Sequence, residues 1–440
     1  MANPYLPDWE YIPDGEPRVF GDRVYIYGSH DKPGSDRFCD YKLKVWSADC
    51  KNLNHWTCHG DIFHTRPDED HGSDVDWSDH ELYAPDVVYK DGHYYLYAYI
   101  VNEKGCVAVS DKPEGPFTLI STYHVGADEN EILKEGIFID PGVLVDEDGR
   151  VYIYCGFNHS FLAELDGTTM VDILPGSFKD RFLSEEEPTA FFEACSPRKV
   201  NGSYYMIYSP KCGSRLVYAT SNSPVGPFQY RGILIDNGVD YPGGNNHGSI
   251  CEINGQWYLF YHRMTNNTVM SRRGCVEKIE ILEDGTIPQV EMTSLGFEDA
   301  LSPYETVKAE IACVLIGGCY ISEASPFSRR IQNIRNNSII GYKYFDFGND
   351  YSSSTMAVVL HLISCGASGT IHILIDDYKS GEEIGTIVFE GSEEIITTRV
   401  KNVTGRHSLF FLFKDKFENC QLCQFAERPL CQFEEFVFMK

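Results

Sequence analysis

Three carboxylates at matching places in a repeat are the residues of this 440-residue chain best placed to do chemistry. Asp14 stands eleven residues before Tyr25, Asp140 twelve before Tyr152, and Glu193 twelve before Tyr205. Each sits among apolar, Pro or Gly neighbours, in "YIPDGEP", "FIDPG" and "FFEACSP". A buried carboxylate must be paired or must titrate high. Taken singly, each has a second reading. Pro13-Asp14-Gly15 is strong turn grammar, and an acid in an apolar strand can be a satisfied structural group. At matching offsets the three read as one shared site. Such a set suits cleavage of a glycosidic bond. One carboxylic acid protonates the leaving oxygen, one carboxylate attacks or activates water, and a third charge keeps the acid protonated near neutral pH. Glu16, two residues beyond Asp14, is the competing acid in the first motif.

The offsets have meaning because the chain repeats. "GDRVYIYG" (21–28), "DGHYYLYA" (91–98), "DGRVYIYC" (148–155), "NGSYYMIYS" (201–209) and "NGQWYLFYH" (254–262) are each a turn followed by a β-branched and aromatic run. Their tyrosines, Tyr25, Tyr95, Tyr152, Tyr205 and Tyr258, are 70, 57, 53 and 53 residues apart. Asp-Gly or Asn-Gly before an alternating run is the strongest short-range hairpin signal. One hairpin per 53–70 residues leaves room for four short strands per unit. Five such units predict an all-β, five-bladed β-propeller over residues 1–300, in which the first strand of each blade lines the axis. A run of plain β-meanders is the other reading. After about residue 295 the repeat stops, and from 305 to 440 alternating runs such as "TIHILI" and "SLFFLF" predict a second, β-sandwich (jelly-roll) domain.

Composition narrows the partners. Hydrophobic residues make up 42% and aromatics 13%, enough for sizeable cores. The formal net charge of −28 disfavours nucleic acid, while a small neutral oligosaccharide meets no penalty. No basic segment runs into an apolar stretch at the start, and no apolar run reaches 18 residues, so neither a signal peptide nor a membrane span is expected. Fifteen scattered cysteines read as reduced thiols in the cytoplasm. Cys420 and Cys423 form a C-x-x-C with Cys431 nearby, but a zinc site needs four ligands and no second pair lies close. No motif for an organic cofactor is expected.

The motifs "NPYLPDWEYIPDGEPRVFGDRVYIYGSHD", "APDV", "IDPGVLVDEDGRVYIY", "FFEACSPRKVNGSYYMIYS" and "NNHGSICEINGQWYLFYHR" together resemble glycoside hydrolase family 43 over roughly residues 3–295. The resemblance implies an inverting, exo-acting enzyme that releases α-L-arabinofuranose or β-D-xylose from arabinoxylan- or arabinan-derived oligosaccharides. It implies Asp14 as general base, Asp140 as the acid that modulates a pKa, and Glu193 as general acid. The family more often has Asp-Pro where this chain has Asp-Gly-Glu-Pro. The resemblance further implies His30, Trp77, Asp86 and Arg272 at the sugar, with Tyr83 beside them. Arg273 is the alternative to Arg272, and Trp77 has an equal claim to plain core. His247 matches a histidine that contacts a calcium ion or its water near the axis. The C-terminal stretches "KYFDFG", "GTIHILIDDYKSGEEIGTIVF", "VTGRHSLFFLF" and "EEFVF" resemble carbohydrate-binding module family 6, which implies a structural calcium near Glu310 and Glu434. Aliphatic residues stand where that family's stacking aromatics are expected, so a structural role is the expectation there. A fructan- or sucrose-cleaving enzyme shares the same ring and acid set, but its Asn-Asp-Pro-Asn-Gly and Arg-Asp-Pro signatures are absent. A non-catalytic sugar-binding propeller is the reading from another class, and the presence of all three acids weighs against it.

Overall fold

The structure, a computed structural model, describes residues 1–102, 104–122, 138–350, 352–391, 394–416 and 428–440. Over these residues the chain is all-β, with one short 3-10 turn at Ala309–Ile311. None of the described helices is long and apolar enough to cross a membrane.

Five antiparallel sheets follow one another along the chain. The first holds β1 (Glu16–Phe20), β2 (Arg23–Gly28), β3 (Lys42–Asp49) and β4 (Asn52–His64). The second holds β5 (Leu82–Lys90), β6 (His93–Ile100), β7 (Gly105–Ser110) and β8 (Thr118–Thr122). The third holds β9 (Gly142–Val145), β10 (Val151–Cys155), β11 (Phe161–Leu165) and β12 (Lys179–Asp180). The fourth holds β13 (Phe191–Val200), β14 (Ser203–Pro210), β15 (Arg215–Ser221) and β16 (Gln229–Asp236). The fifth holds β17 (Ser249–Ile253), β18 (Gln256–Thr265) and β19 (Thr268–Ile279). The repeat tyrosines fall on the second strand of every sheet, because the turn before each is the first hairpin. At Asp91-Gly92, Asn201-Gly202 and Asn254-Gly255 both turn residues have φ between 50° and 95°, the paired left-handed geometry that matches strand twist.

The first strands touch one another in order. β1 packs on β5, β5 on β9, and β9 on β13, while β1 also packs on β17. Between β13 and β17, Ser196 Oγ and Ser249 Oγ share a hydrogen bond at 2.6 Å and Arg198 Nε donates to the Ile250 carbonyl at 2.8 Å. Buried charges fill the space these strands share. Arg18 donates from Nε and Nη2 to Asp86 at 2.9 and 2.6 Å, and the second Asp86 oxygen also accepts the Val143 N–H at 2.7 Å. Glu16 takes bonds from Arg198 and, at 2.9 Å, from Ser196.

Beyond residue 300 come two further antiparallel sheets. One orders the strands Tyr320–Ser325, Ser328–Ile334, Cys431–Met439, Thr355–Ser364 and Ile395–Lys401. The other orders Val314–Ile316, Ile339–Asp346, Arg406–Asp415, Gly369–Ile375 and Glu382–Phe389. Alternation of buried and half-exposed residues along 355–363 and Gly369–Ile375 marks strands with one apolar face. Phe411 of one sheet lies 5.3 Å from Phe433 and 5.1 Å from Phe436 of the other, ring centre to ring centre.

The two regions share a core. One apolar cluster runs from Tyr205, Leu259 and Tyr261 through Ala312 and Val314 to Phe411 and Phe436. Arg263, fully buried on β18, donates to the Ala312 carbonyl at 2.9 Å and to the Asn3 carbonyl at 2.9 Å. Arg263→Met removes these donors and strands buried carbonyls, each worth roughly 1–3 kcal/mol. The substitution is expected to lower the stability of the full chain by about 3 kcal/mol in urea unfolding. A loss below about 1 kcal/mol would mean that this joint does not hold the two regions together.

Candidate active site

Asp14 and Asp140 each lie two residues before the first strand of their sheet, β1 and β9, which is why their sequence offsets agree. Both have left-handed backbone, φ 56° and 51°. Asp tolerates that region because its short carboxyl bonds locally. Glu193 lies within β13, where the pairing to β14 slips on both sides of it. A bulge of this kind re-aims a side chain. Ala194, next along, has φ 71°, a strained value for alanine that functional sites tend to retain. Across this bulge the Asp140 and Glu193 carboxyls face the same cavity. Gly142 makes the approach possible: a Cβ there would lie 2.2 Å from the Cys195 carbonyl oxygen.

The three acids face one cavity of about 720 Å³. Arg272 and His247 share its polar side, with Asn245 next to Glu193. Phe38, Tyr83, Ile139, Phe157 and Phe192 supply an apolar side. The Phe157 and Phe192 rings are 5.0 Å apart, and Phe157 is exposed.

Arg272 sets the electrostatics. It is buried on β19 and donates from Nη1 to Asp14 Oδ1 at 2.8 Å. Its Nε and Nη2 both donate to Asp31 at 2.8 Å, and its backbone N–H donates to the same carboxylate at 2.9 Å. Burial alone would raise the Asp14 carboxyl. The Arg272 guanidinium and His262 at 3.2 Å reverse this and hold Asp14 well below the usual carboxylate range. Glu193 goes the other way: burial, then the charge on Asp14, pushes it up to about 7. Burial also pushes Asp140 well up, reinforced by the charges of Glu193 and Asp14. Asp140 and Glu193 therefore form one coupled pair that retains a proton near neutral pH. Burial lowers His247 to about 4, so its ring is neutral although Nδ1 lies 3.7 Å from Asp140. The cavity thus holds one firmly ionised carboxylate and a carboxyl pair that keeps a proton, the combination glycosidic cleavage uses.

Comparison with known proteins decides the family. The model of Glycosyl hydrolases family 43 matches residues 7–287. The chain belongs to glycosyl hydrolase family 43. It is 39% identical over 400 residues to a xylosidase/arabinosidase of Thermoclostridium stercorarium, covering 78% of this chain and 82% of that one. A β-xylosidase/α-arabinofuranosidase from a compost microbial metagenome, solved with xylotriose, is 29% identical and superposes with TM-score 0.55 over 66% of this chain and 97% of its own. An arabinoxylan arabinofuranohydrolase of Bacillus subtilis, solved with cellotetraose, shares the fold over 100% of this chain and 97% of its own, at 22% identity and TM-score 0.57. The protein is a glycoside hydrolase.

Of the residues expected at the sugar, Arg272 and Tyr83 line the cavity of this family 43 enzyme and three others do not. Asp86 is fully buried and committed to Arg18 and the Val143 N–H; its shorter offset, nine residues rather than eleven or twelve, reflects a place inside β5 rather than ahead of it. His30 is clamped between Glu10 at 3.2 Å and Asp40 at 3.3 Å, and its neighbour Asp31 does the work at the site. Trp77 packs half-buried on the core beneath the second sheet, with the Lys104 ammonium 4.4 Å over its ring. Arg273 turns away and donates to the Leu6 and Pro7 carbonyls. Glu16 serves the charge network between first strands, so Asp14 is the acid of its motif that meets the cavity.

The residues expected to hold calcium do not fit it. Calcium takes six to eight oxygen ligands. Among the described residues, the carboxylates within 4 Å of the His247 ring nitrogens are those of Asp14 and Asp140, and Asp14 already carries a guanidinium. Glu310 has Arg273 at 3.9 Å, while Glu434 has Arg330 at 3.8 Å and His361 at 3.2 Å. The two glutamates have separate cationic partners rather than a common centre. Cys420 and Cys423 lie outside the described residues.

Asp31, His262, Asn245, Phe38, Phe157 and Phe192 were not singled out by sequence. Adjacency could have found three of them: Asp31 follows His30, Asn245 sits in "NNHGS", and Phe192 precedes Glu193. Arg272→Lys keeps the charge but loses the fork. One lost bond to a charged group is worth about 1.5–3 kcal/mol, so kcat/KM is expected to fall about tenfold to hundredfold. The acid limb of the pH–rate profile should move to higher pH, because the Asp14 anion loses its strongest donor. A fall in activity with an unmoved acid limb would show that Arg272 does not tune Asp14.

Proposed function

We propose that the protein is an exo-acting, inverting glycosidase that removes α-L-arabinofuranosyl or β-D-xylosyl ends from small oligosaccharides derived from arabinoxylan or arabinan. The observation that carries this reading is the opposite displacement of Asp14 and Glu193 on one cavity. Asp14, ionised, takes the proton of the attacking water. Glu193, protonated below about 7, gives its proton to the leaving oxygen. Asp140 acts through Glu193 by charge, and Arg272 keeps Asp14 ionised and oriented. Similarity to a xylosidase/arabinosidase and to a β-xylosidase/α-arabinofuranosidase supports a pentose glycoside as substrate. The cavity's apolar side suits the carbon face of a sugar ring, and its polar side suits the hydroxyls.

The architecture that goes with this reading is a five-bladed β-propeller over residues 1–300 and a β-sandwich over 305–440. Contact of β1 with both β5 and β17 supports closure of the ring, and the facing Phe411 and Phe436 rings support the sandwich. The sandwich serves as a stabilising partner, as the shared core suggests. Free thiols among the described cysteines support a cytoplasmic location.

The roles separate by leaving group. p-Nitrophenolate departs with little protonation, whereas an oligosaccharide oxygen needs an acid. Glu193→Ala is expected to lose about 10²–10⁴-fold on xylo- or arabino-oligosaccharides and much less on the aryl glycoside. Asp14→Ala should lose activity on both. NMR at early times should show the inverted anomer, since water must fit between carboxyls about 6.5–9.5 Å apart. Retained configuration, or equal losses for Glu193→Ala on both substrates, would overturn the assignment.

Asp140→Asn tests the pair. When the pair's single proton sits on Glu193, the Asp140 charge opposes ionisation of Glu193. Removing that charge lowers the Glu193 pKa, and the alkaline limb of the profile should move to lower pH. An unmoved limb with full activity would take Asp140 out of the mechanism.

A further inference from the structure

We propose that Asp61, His64, Asp68 and His71 form a binding site for one divalent transition-metal ion of the zinc type, separate from the catalytic cavity. One ligand atom from each lies within 4.8 Å of the others, and among the described residues this is the one group of its kind. The spacing is D-x-x-H-x-x-x-D-x-x-H, across the end of β4 and the segment after it. His64 Nε2 already lies 3.4 Å from Asp61 Oδ2 and 3.9 Å from Asp68 Oδ2. His71 Nδ1 lies 3.4 Å from Asp68 Oδ1, and its ring stands 4.8 Å from that of His64. Tetrahedral zinc, with bonds of about 2.0–2.2 Å, needs ligand atoms roughly 3.3–3.6 Å apart. A small rotation of the exposed His71 side chain closes the set.

The surroundings are arranged as a metal site's second layer is. Asp74 Oδ2 accepts the His64 backbone N–H at 2.7 Å and lies 3.5 Å from its Nδ1. A carboxylate at Nδ1 fixes the ring so that Nε2 faces the metal. The Asp68 Oδ1 atom accepts the N–H groups of Asp70 and His71 at 2.9 and 2.8 Å, which leaves Oδ2 turned to His64. Lys42 Nζ sits 2.8 Å from Asp61 and 3.9 Å from Asp68, so a monocation already stands where positive charge is wanted. A divalent ion displaces it, and the partly exposed Lys42 swings to solvent. Two imidazoles with two carboxylates exclude calcium and magnesium, which take oxygen, and select a borderline metal.

The position gives the ion a task. The segment after His64 leads into β5, with Thr65 Oγ1 bonded to the His80 carbonyl at 2.5 Å, and Tyr83 and Ala84 of β5 line the cavity. Pinning the start of this segment to β4 stiffens that wall.

The test uses the full chain stripped with chelator and titrated with zinc chloride by calorimetry, with cobalt(II) absorption as a second readout. One ion per chain and a rise in Tm on binding are expected. His71→Ala and Asp68→Ala should each weaken zinc by about tenfold or more, and Asp74→Asn by roughly 10–100-fold. Aryl-glycosidase activity of the metal-free variants should match that of the metal-free parent. Cobalt should bind without thiolate charge-transfer bands. No zinc binding, binding unaltered in His71→Ala and Asp68→Ala, or a cobalt spectrum dominated by thiolate would each overturn the proposal.

Discussion

The site depends on one buried guanidinium. Arg272 lies between Asp31, which it grips with Nε and Nη2, and Asp14, which it reaches with Nη1. A buried cation without partners would be destabilising by several kcal/mol, and two buried carboxylates without a cation would be worse. Together they hold each other in place across 241 and 258 residues of chain. The guanidinium is also what separates the acids chemically. It keeps Asp14 charged, and the charge on Asp14 then helps raise both Glu193 and Asp140. One ion pair therefore divides the carboxyls into a base and an acid. Burial alone would have raised all three alike.

Much of this was legible because a hairpin counts residues. The offset from a turn tyrosine to the start of the preceding strand is fixed by strand length, so acids at like offsets occupy like places. That logic found Asp14 and Asp140 as true equivalents. Glu193 shares the offset by a different route, since a longer strand with a bulge carries it. The same logic set Asp86 apart, where a shift of two or three residues moves a side chain from the strand's mouth into its interior; the resemblance alone placed it at the sugar. There the neighbouring Arg18 makes it a structural anion. His30 and Asp31 show the other limit. Successive residues point to opposite sides, and the sequence does not say which side is the cavity. The partner of Asp31 lies on β19, and no local pattern signals a pairing that distant.

The first strands carry a second set of charges that does no chemistry. Glu16–Arg198 and Arg18–Asp86 bridge first strands of different sheets. Apolar packing alone is tolerant of small slides. A bidentate guanidinium–carboxylate pair is not, because both bonds weaken when either strand moves. The same need for fixed geometry explains Gly142 and the strained Ala194, which let β9 and β13 approach with Asp140 and Glu193 facing one cavity. Backbone strain there is sustained by the sheets on either side.

Asp14 and Glu16 make the general point within three residues. Both are buried, both are acids, and they stand two apart on the same approach to β1. Asp14 has left-handed backbone and turns to the cavity, where Arg272 meets one of its oxygens and the other is left for water or substrate. Glu16 is in the strand proper, and Ser196 and Arg198 occupy its two oxygens. Held by these donors between the strands, Glu16 does not line the cavity and so is not placed to take a reacting proton. The chemistry follows the acid with an oxygen to spare, and the turn that precedes the strand decides which acid that is.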